Sequence, residues 1–504
     1  MTPYIDYMTD ITPAELYDGF VGHGLFANKI PNFLSSESFL AYTKTATFPN
    51  QNNERDYVRY SNMRNINVLR PLAIPDPFAY ANLCKFLSSN WLTIVDHFRN
   101  KTSTETHKVS RIHIRKLFNG NSLFEMNYKN FYMDAEPQQD LIIKSKYVAH
   151  ADVATCFPSM YSHSISWALV TKQFAKTNRG QGLWFNQIDF KTRNLKFGET
   201  NGLLIGPHAS NLISEIILTS VDHELVNSGF KYIRNIDDYT CYTSSYEDAE
   251  RFILSLSEEL KKYELVLNSK KSKIISLPKA DVKNWVTKLN HFNFTNTYVS
   301  PNGTEGIRVK ELKGFFDFAI ELMLEEGCDV SIINYAIQII SGKYLAFSAK
   351  NYYIKQIHHL VLLYPYLINL LDEYVFQAHS IDVTIIEKIA KDIYEYGIRT
   401  KIYEACSYAI YYALKYNFDL QIATIKTDSI QSNDCVFMLL AFRIDKKHQQ
   451  ASYLQEYKIH ARLLKSTDFQ QYWLYIFEIL PWTEHSGEYR HMKRNGITFI
   501  KTGF

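Results

Sequence analysis

Residues 145–300 alternate short β-prone runs with longer helical segments, and this pattern restricts the fold more than any other feature of the chain. The β-prone runs are KYVAHADV, KYIRNIDD and SKIISLP, and the helical segments include ASNLISEIILTSVDHELVNSG and YEDAERFILSLSEELKKYE. Such alternation predicts an α/β arrangement, in which helices cover a sheet. From about Lys310 the chain changes to amphipathic stretches with apolar residues three and four apart, which predicts an all-helical second half.

Length and composition exclude several classes of protein. A chain of 504 residues is too long for one ordinary core, so two or three domains are expected. The net charge of +3 is too small to indicate nucleic-acid binding, which would have to come from local patches. The six cysteines form no C-x-x-C pair, the N-terminus has no signal-like segment, and no run approaches the roughly 18 apolar residues of a membrane span. We therefore expect a cytoplasmic protein with reduced thiols, no zinc ribbon and no membrane segment.

Two adjacent carboxylates, Asp237 and Asp238, interrupt the β-prone run IRNIDDYTCY. Like charges at the tip of a hairpin repel each other unless something positive offsets them. Asp152 lies near the end of the β-prone run 147–153, so we expect it at a strand end beside the pair. A cluster of three carboxylates is stable around divalent cations, and hard oxygen ligands favour Mg²⁺ or Mn²⁺. Two such ions, about 4 Å apart, support phosphoryl transfer.

The acidic pair is not specific by itself, because an Ile-Asp-Asp turn is more often solvated than catalytic. Specificity comes from four motifs that follow one another. They are Asp152 with Phe157, then Gly206 to Ser210 in GETNGLLIGPHASNLISEIIL, then IDDY at 236–239, and then the basic turn LNSKKS at 267–272. In this order they resemble motifs A to D of the reverse transcriptase palm, over about residues 65–280. Together with the segment PSMYSHSISWAL, the sequences of these motifs resemble those of the abortive-infection (Abi) group of prokaryotic reverse transcriptases, the AbiK and AbiA relatives. This resemblance implies a prophage origin.

The resemblance implies a fold and a division of the chain. The fold would be the α+β right hand of polymerases, with reverse transcriptase fingers and palm in residues 1–300. The palm itself would occupy about 145–165 and 200–290. An all-α domain would follow in residues 301–504, and a HEAT-like repeat is one form that it could take.

The resemblance also implies which residues bind metal and select the sugar. Asp152 and Asp237 would bind both of two Mg²⁺ or Mn²⁺ ions, and Asp238 would assist them. Phe157 would be the steric gate under the incoming sugar, which favours dNTPs over rNTPs.

Further residues would contact the nucleotide. Gly206 and Ser210 would line the nucleotide or template side of the floor. Lys271 would stabilise charge on the triphosphate or protonate the leaving pyrophosphate. A basic stretch, HKVSRIHIRK, resembles the fingers segment that clamps the triphosphate, although a solvated basic strand is an equally good interpretation. Its three candidates are Lys108, Arg111 and Arg115.

Two departures from the reverse transcriptase pattern bear on the template. Asn235 stands where motif C usually begins with Tyr, and Ile205 stands where motif B often has Gln. Both positions help to fix template or primer geometry in ordinary reverse transcriptases, so faithful copying is in doubt here.

The Abi resemblance implies untemplated synthesis that starts on a protein hydroxyl, in an antiphage system. The product would be single-stranded DNA attached to a tyrosine, and Tyr4 and Tyr7 are candidates among the 36 tyrosines. A homo-oligomer, either a trimer or a hexamer, is also implied. Two alternatives stay open: an ordinary reverse transcriptase that copies an RNA or DNA template, and a non-catalytic scaffold that binds nucleic acid.

Overall fold

Short helices around two hairpins form the N-terminal part of the protein. The computed structural model describes residues 5–46, 53–65, 68–111, 114–116, 124–125, 137–279, 283–299, 303, 305–448 and 450–504. The elements of the first 142 residues are α1 (Asp6–Thr9), α2 (Pro13–His23), α3 (Glu37–Thr45), β1 (Tyr57–Met63), β2 (Leu69–Pro75), α4 (Pro77–Ser89), α5 (Trp91–Thr102), β3 (Arg115–Lys116), β4 (Phe124–Glu125) and α6 (Pro137–Ile142). β1 and β2 form one antiparallel hairpin, and β3 and β4 form another.

A four-stranded sheet with helices occupies the middle of the chain. Its elements are β5 (Tyr147–Asp152), α7 (Cys156–Ser159), α8 (His163–Val170), α9 (Lys172–Thr177), α10 (Trp184–Asn194), α11 (His208–Asn227), β6 (Tyr232–Asn235), β7 (Asp238–Thr243), α12 (Tyr246–Lys262), β8 (Lys273–Ser276), α13 (Asn284–Asn290) and β9 (Thr297–Val299). α12 packs against β5 and β7, and α11 packs against α12.

The strands of this sheet lie in the order β6-β7-β5-β8, and every neighbouring pair is antiparallel. The alternation in sequence predicted an α/β arrangement, which is usually parallel. The sheet is antiparallel because the tight turn at 236–237 sends β7 directly back along β6. The α+β class implied by the motifs is therefore confirmed.

Helices dominate the region after residue 304. Its elements are β10 (Glu305–Ile307), α14 (Val309–Glu325), α15 (Ser331–Ser341), β11 (Tyr344–Leu345), α16 (Phe347–Leu363), a 3₁₀ helix (Pro365–Leu370), a π-helix (Leu371–Gln377), α17 (Val383–Thr400), α18 (Tyr403–Tyr416), α19 (Ile425–Ser432), α20 (Cys435–Lys447), α21 (Ala451–Thr467), α22 (Trp473–Ile479), a 3₁₀ helix (Trp482–Glu484) and α23 (Gly487–Arg494). The prediction that 301–504 is entirely helical misses β10 and β11. β10 pairs with β9 in a hairpin, and β11 can join because Gly306 has no side chain to meet the ring of Tyr344.

The helical region packs directly on the N-terminal part. α17 packs against α18, α19 against α20 and α21 against α22, and the inner helices α18, α20 and α22 all contact β1. One cluster of buried apolar side chains extends from Met8 to Phe499. The final residues return to the N-terminal part, where the Lys501 amide donates to the Phe33 carbonyl at 2.8 Å. The division at residue 300 stays a prediction.

None of the helices in the described ranges is both long and apolar enough to cross a membrane.

Candidate active site

The three carboxylates that were predicted to cluster do meet, at the end of β5 and the start of β7. Asp152 is the last residue of β5, Asp237 lies in the β6–β7 turn, and Asp238 is the first residue of β7. The β5–β7 register places Asp152 directly opposite Asp238. Side-chain oxygens of all three residues lie within 4.8 Å of one another, an arrangement that could hold a divalent metal ion.

Crowding of negative charge perturbs the carboxyl groups of this triad. Partial burial together with the neighbouring Asp237 and Asp152 raises the pKa of Asp238 to about 6. Burial, with a further contribution from Asp152, raises the pKa of Asp237. The triad is therefore a site that a cation would stabilise.

The Asp152 carboxylate accepts hydrogen bonds from two side chains. Its Oδ1 accepts a hydrogen bond from the Asn268 amide at 2.8 Å, and its Oδ2 accepts one from the Lys271 ammonium at 2.8 Å. The bond to Asp152 raises the pKa of Lys271. Lys271 thus lies at the triad, and its expected role toward the triphosphate stays a prediction.

A buried arginine that the sequence reasoning missed lies beneath the acidic turn. Arg234, in β6, has no exposed side-chain surface, and its guanidinium binds Glu215 and Asp222 of α11 at 2.6–3.1 Å. The Tyr232 hydroxyl also donates to Asp222 at 2.9 Å. The sequence signal was an arginine two residues before the turn, with two acidic residues inside an otherwise apolar helix. This network ties the motif B helix to the motif C strand.

Arg234 also fixes the shape of the turn. Its Nη1 donates to the Ile236 carbonyl at 2.9 Å, and the Val153 amide donates to the Asp237 carbonyl at 3.1 Å. Ile236 has φ of +58°, a left-handed conformation that is unfavourable for a β-branched residue. The surrounding bonds therefore hold a strained backbone next to the carboxylates. The neighbouring Asn235 Oδ1 is buried and accepts no hydrogen bond within the described residues.

Phe157 and the segment before motif B lie side by side. The Leu203 amide donates to the Phe157 carbonyl at 2.8 Å, and the Gly202 amide donates to the Met160 carbonyl at 2.7 Å. Gly202 has φ of +83°, and a Cβ at this position would lie 2.7 Å from the Pro158 carbonyl oxygen. The positive φ and the lack of space for a Cβ both require glycine at position 202. In the sequence, the only sign of this close approach is the glycine itself. The Phe157 ring is half-buried against the core, and its gating role stays a prediction.

Gly206 precedes α11 and Ser210 lies in its first turn, and neither is fully exposed. Gly206 has φ of +128°, and an added Cβ would lie 3.1 Å from the side chain of Ala27 and 3.1 Å from the Ala73 carbonyl oxygen. Ser210 is only 5% exposed. The Ile205 carbonyl accepts a hydrogen bond from the Ala73 amide at 2.9 Å, which attaches motif B to β2. The predicted contacts of Gly206 and Ser210 with nucleotide stay predictions.

The three basic candidates of the fingers are buried rather than solvated. Lys108, Arg111 and Arg115 are each at most 5% exposed, so the interpretation as a solvated strand is wrong. The Arg111 amide donates to the Arg234 carbonyl at 2.8 Å, which adds this segment to the edge of the sheet. Lys108 and Arg115 lie over the ring of Tyr7, at 4.6 and 5.7 Å from its centre. Their role as a triphosphate clamp stays a prediction.

A cavity of about 490 Å³ opens beside the triad. Asp152 and Asp238 form its acidic wall, and Lys270, Lys271 and Lys273 form its basic wall. Carboxylates that can hold metal and lysines that can bind phosphate therefore share one space.

An antiparallel sheet with three clustered carboxylates beside a lysine-lined cavity is the arrangement expected of the palm of a metal-dependent nucleotidyltransferase. Residues 97–306 match the family model described as reverse transcriptase (RNA-dependent DNA polymerase). This part of the chain is therefore a reverse transcriptase domain.

Solved structures of telomerase are similar to this chain at low TM-scores. The C-terminally truncated apo telomerase from Candida tropicalis has 14% identity and a TM-score of 0.29, with 49% of this chain and 55% of that chain covered. The apo telomerase from Candida tropicalis has 12% identity and a TM-score of 0.34, with 83% and 72% covered. Telomerase from Candida albicans, in complex with a TWJ fragment of telomeric RNA, has 11% identity and a TM-score of 0.30, with 81% and 68% covered. The chain thus spans about half of the first of these proteins, and no function follows from TM-scores below 0.5.

No curated protein matches this chain significantly.

Proposed function

We propose that the chain is a DNA polymerase of the reverse transcriptase type that acts in antiphage abortive infection. It adds dNTPs without copying a template and starts from one of its own tyrosines, so the single-stranded product stays covalently attached. The observation that carries the chemistry is the triad of Asp152, Asp237 and Asp238, whose oxygens lie within 4.8 Å inside the matched region. The defence role, a prophage origin and a trimeric or hexameric assembly rest on the resemblance to the Abi group.

The residues at the triad fit divalent metal ions. Three carboxylates meet there, and burial together with the neighbouring carboxylates raises the pKa values of Asp237 and Asp238, so a bound cation would stabilise their charged forms. Asp152 and Asp237 would hold two Mg²⁺ or Mn²⁺ ions, and Asp238 would assist. Such ions activate an attacking hydroxyl and stabilise the leaving oxygen.

The remaining residues bind and orient the nucleotide. In each step a hydroxyl oxygen bonds to the α-phosphorus of a dNTP, the bond to the bridging oxygen breaks, and pyrophosphate leaves. Lys271 lies in the same cavity as Asp152 and would donate a proton to the pyrophosphate. Phe157 would stack beneath the sugar and exclude a 2′-hydroxyl.

Weak template control is supported by the two departures from the reverse transcriptase pattern. Asn235 presents a short side chain with a buried, unpaired Oδ1 in place of the usual tyrosine. Ile205 offers an aliphatic side chain in place of an amide that could hydrogen-bond a template base. Ile205 has no side-chain group that can hydrogen-bond a base, and Asn235 has no aromatic ring of the kind that the usual tyrosine supplies.

Burial narrows the choice of priming tyrosine. A priming phenol has to reach the triad, which a tyrosine locked in the core does not do. The fully buried tyrosines include Tyr60, Tyr80, Tyr232, Tyr239, Tyr353, Tyr394, Tyr412 and Tyr457. Tyr7 is half-buried in α1, and the cations of Lys108 and Arg115 lie 4.6 and 5.7 Å from its ring centre. Tyr4 lies outside the described residues. Tyr7 is therefore the first tyrosine to test.

The test is incorporation of labelled dNTPs with Mg²⁺ or Mn²⁺ and no template or primer. After boiling in detergent, label should migrate with the polypeptide in the wild type and disappear in Asp237→Asn. Tyr7→Phe should lose the attached label but still extend an added oligonucleotide. Tyr17→Phe is the matched control, because Tyr17 is also half-buried and burial raises its pKa to about 12. Label that detergent alone releases would contradict protein priming.

A second reaction distinguishes the proposed untemplated synthesis from template copying by an ordinary reverse transcriptase. An RNA–DNA primer–template is offered with four dNTPs, and the product is sequenced. The proposal expects a sequence unrelated to the template. A product complementary to the template would replace the proposal with an ordinary reverse transcriptase.

A further inference from the structure

A second cavity lies outside the triad, between α8, α9 and α10. Its volume is about 400 Å³, and both aromatic and basic side chains line it. The lining residues that matter here are Tyr161, Trp167, Phe190, Lys176, Arg179 and Arg193. None of them belongs to the four polymerase motifs.

The backbone connects this cavity to Phe157, the predicted steric gate. Tyr161 lies four residues after Phe157, and its backbone forms an isolated antiparallel β-bridge with Asn201. The Ser162 amide donates to the Thr200 carbonyl at 2.7 Å, beside the bonds that join Phe157 to Leu203. The loop that carries the gate therefore continues directly into the cavity wall.

The cavity has an excess of positive charge. Lys176, Arg179 and Arg193 face it together with a single carboxylate, that of Asp189. Asp189 is 4% exposed, and it binds both His163 Nδ1 and, at 3.2 Å, Arg193 Nε. Three cations against one carboxylate favour an anionic ligand.

Aromatic rings accompany these cations. Tyr161 is half-buried, with its ring centre 5.5 Å from that of Trp167. Phe190 is half-buried, and the Arg193 guanidinium lies 5.6 Å from its ring centre. Partly exposed rings stack on bases, and neighbouring cations bind phosphates.

We propose that this cavity holds one nucleotide of a single-stranded nucleic acid, with the base against Tyr161 and Phe190 and the phosphates near Lys176 and Arg179. A strand is favoured over a free nucleotide because Lys176 and Arg179 are exposed at the rim, where the adjoining phosphates would pass. The site would keep the strand next to Phe157 between additions. It extends the proposed polymerase function, but binding there requires neither metal nor synthesis.

The test measures binding by the full chain of a fluorescein-labelled oligo(dT) of about 20 nucleotides, in EDTA and without dNTPs. Arg179→Gln should weaken binding about fivefold and lower the salt slope by about 0.7, the value for one phosphate contact on a single strand. Phe190→Leu should weaken binding about fivefold with the salt slope unchanged, because it removes stacking. Thermal unfolding confirms that each variant folds.

Arg251→Gln is the matched control, because it makes the same change at another exposed arginine. Arg251 does not line the cavity, and its guanidinium binds Asp248 at 2.9 Å. It should change binding less than about twofold. Equal losses for Arg251→Gln and Arg179→Gln, or no loss for Phe190→Leu, would overturn the proposal. So would displacement of the oligonucleotide by dTMP at matched nucleotide concentration, which would indicate a free-nucleotide site. Because the assay contains no metal, failure of the polymerase chemistry would leave its result unaffected.

Discussion

Arg234→Met is the most informative single change, since Arg234 connects the stability of the palm to the shape of its acidic turn. The guanidinium has no exposed surface and pairs with both Glu215 and Asp222. It also donates to the Ile236 carbonyl, one residue before the carboxylate pair. Methionine has a similar length but supplies neither the charge nor the donors.

The expected loss of stability is large. Removing one partner of a buried ion pair costs about 3–5 kcal/mol, because the remaining charge is left uncompensated. Here two carboxylates lose their partner, so a value at the upper end is expected. For a domain of 150–250 residues this corresponds to a fall in melting temperature of roughly 6–20 °C. Arg251→Met is the control, since Arg251 is exposed and pairs with Asp248, and it should change stability by less than about 0.5 kcal/mol.

A compensated variant separates charge balance from positioning of the turn. Arg234→Met combined with Glu215→Gln and Asp222→Asn removes the buried charges together, so no uncompensated charge is left in the core. We expect this variant to recover most of the melting temperature but not dNTP incorporation, because nothing then donates to Ile236. Thermal unfolding and incorporation of labelled dNTPs measure the two effects. If the compensated variant regains both, the positioning role is refuted, and if Arg234→Met melts like the wild type, the stabilising role is refuted.

Four other changes test the site and the fold. Asp237→Asn should reduce dNTP incorporation on the order of a thousandfold while the protein stays folded, because a metal ligand is lost; retained synthesis would refute the two-metal site. Phe157→Val should raise rNTP incorporation on the order of tenfold, and unchanged discrimination would make Phe157 merely a core residue. Lys271→Met should tighten Mn²⁺ binding by about twofold to fivefold, since the ammonium no longer competes for Asp152, although synthesis falls; weaker binding by titration would contradict this. Burial raises the pKa of Glu404 from 4.5 to about 8. The stability that its neutral form contributes is therefore present below the lower value and is lost as the pH rises through the higher one. Glu404→Gln should reduce the fall in melting temperature between about pH 6 and pH 8.5, and an unchanged fall would show that Glu404 does not titrate there.

Clustering of the three carboxylates could be predicted from the sequence. A strand-length β-prone run ending near Asp152, and a second run broken by two carboxylates, are local signals that need no knowledge of packing. Antiparallel pairing then brings Asp152 opposite Asp238 in the register that is observed. The same local signals located the helices of the second half.

The surroundings of the triad depend on tertiary packing and could not be predicted. The buried pairs of Arg234 with Glu215 and Asp222 join residues 12 to 19 positions apart on separate elements. Burial reversed the interpretation of Lys108 and Arg115, whose letters alone fit a solvated strand equally well. The physical reason is that burial and charge pairing depend on which surfaces meet, whereas strands, turns and helices depend mainly on neighbours along the chain.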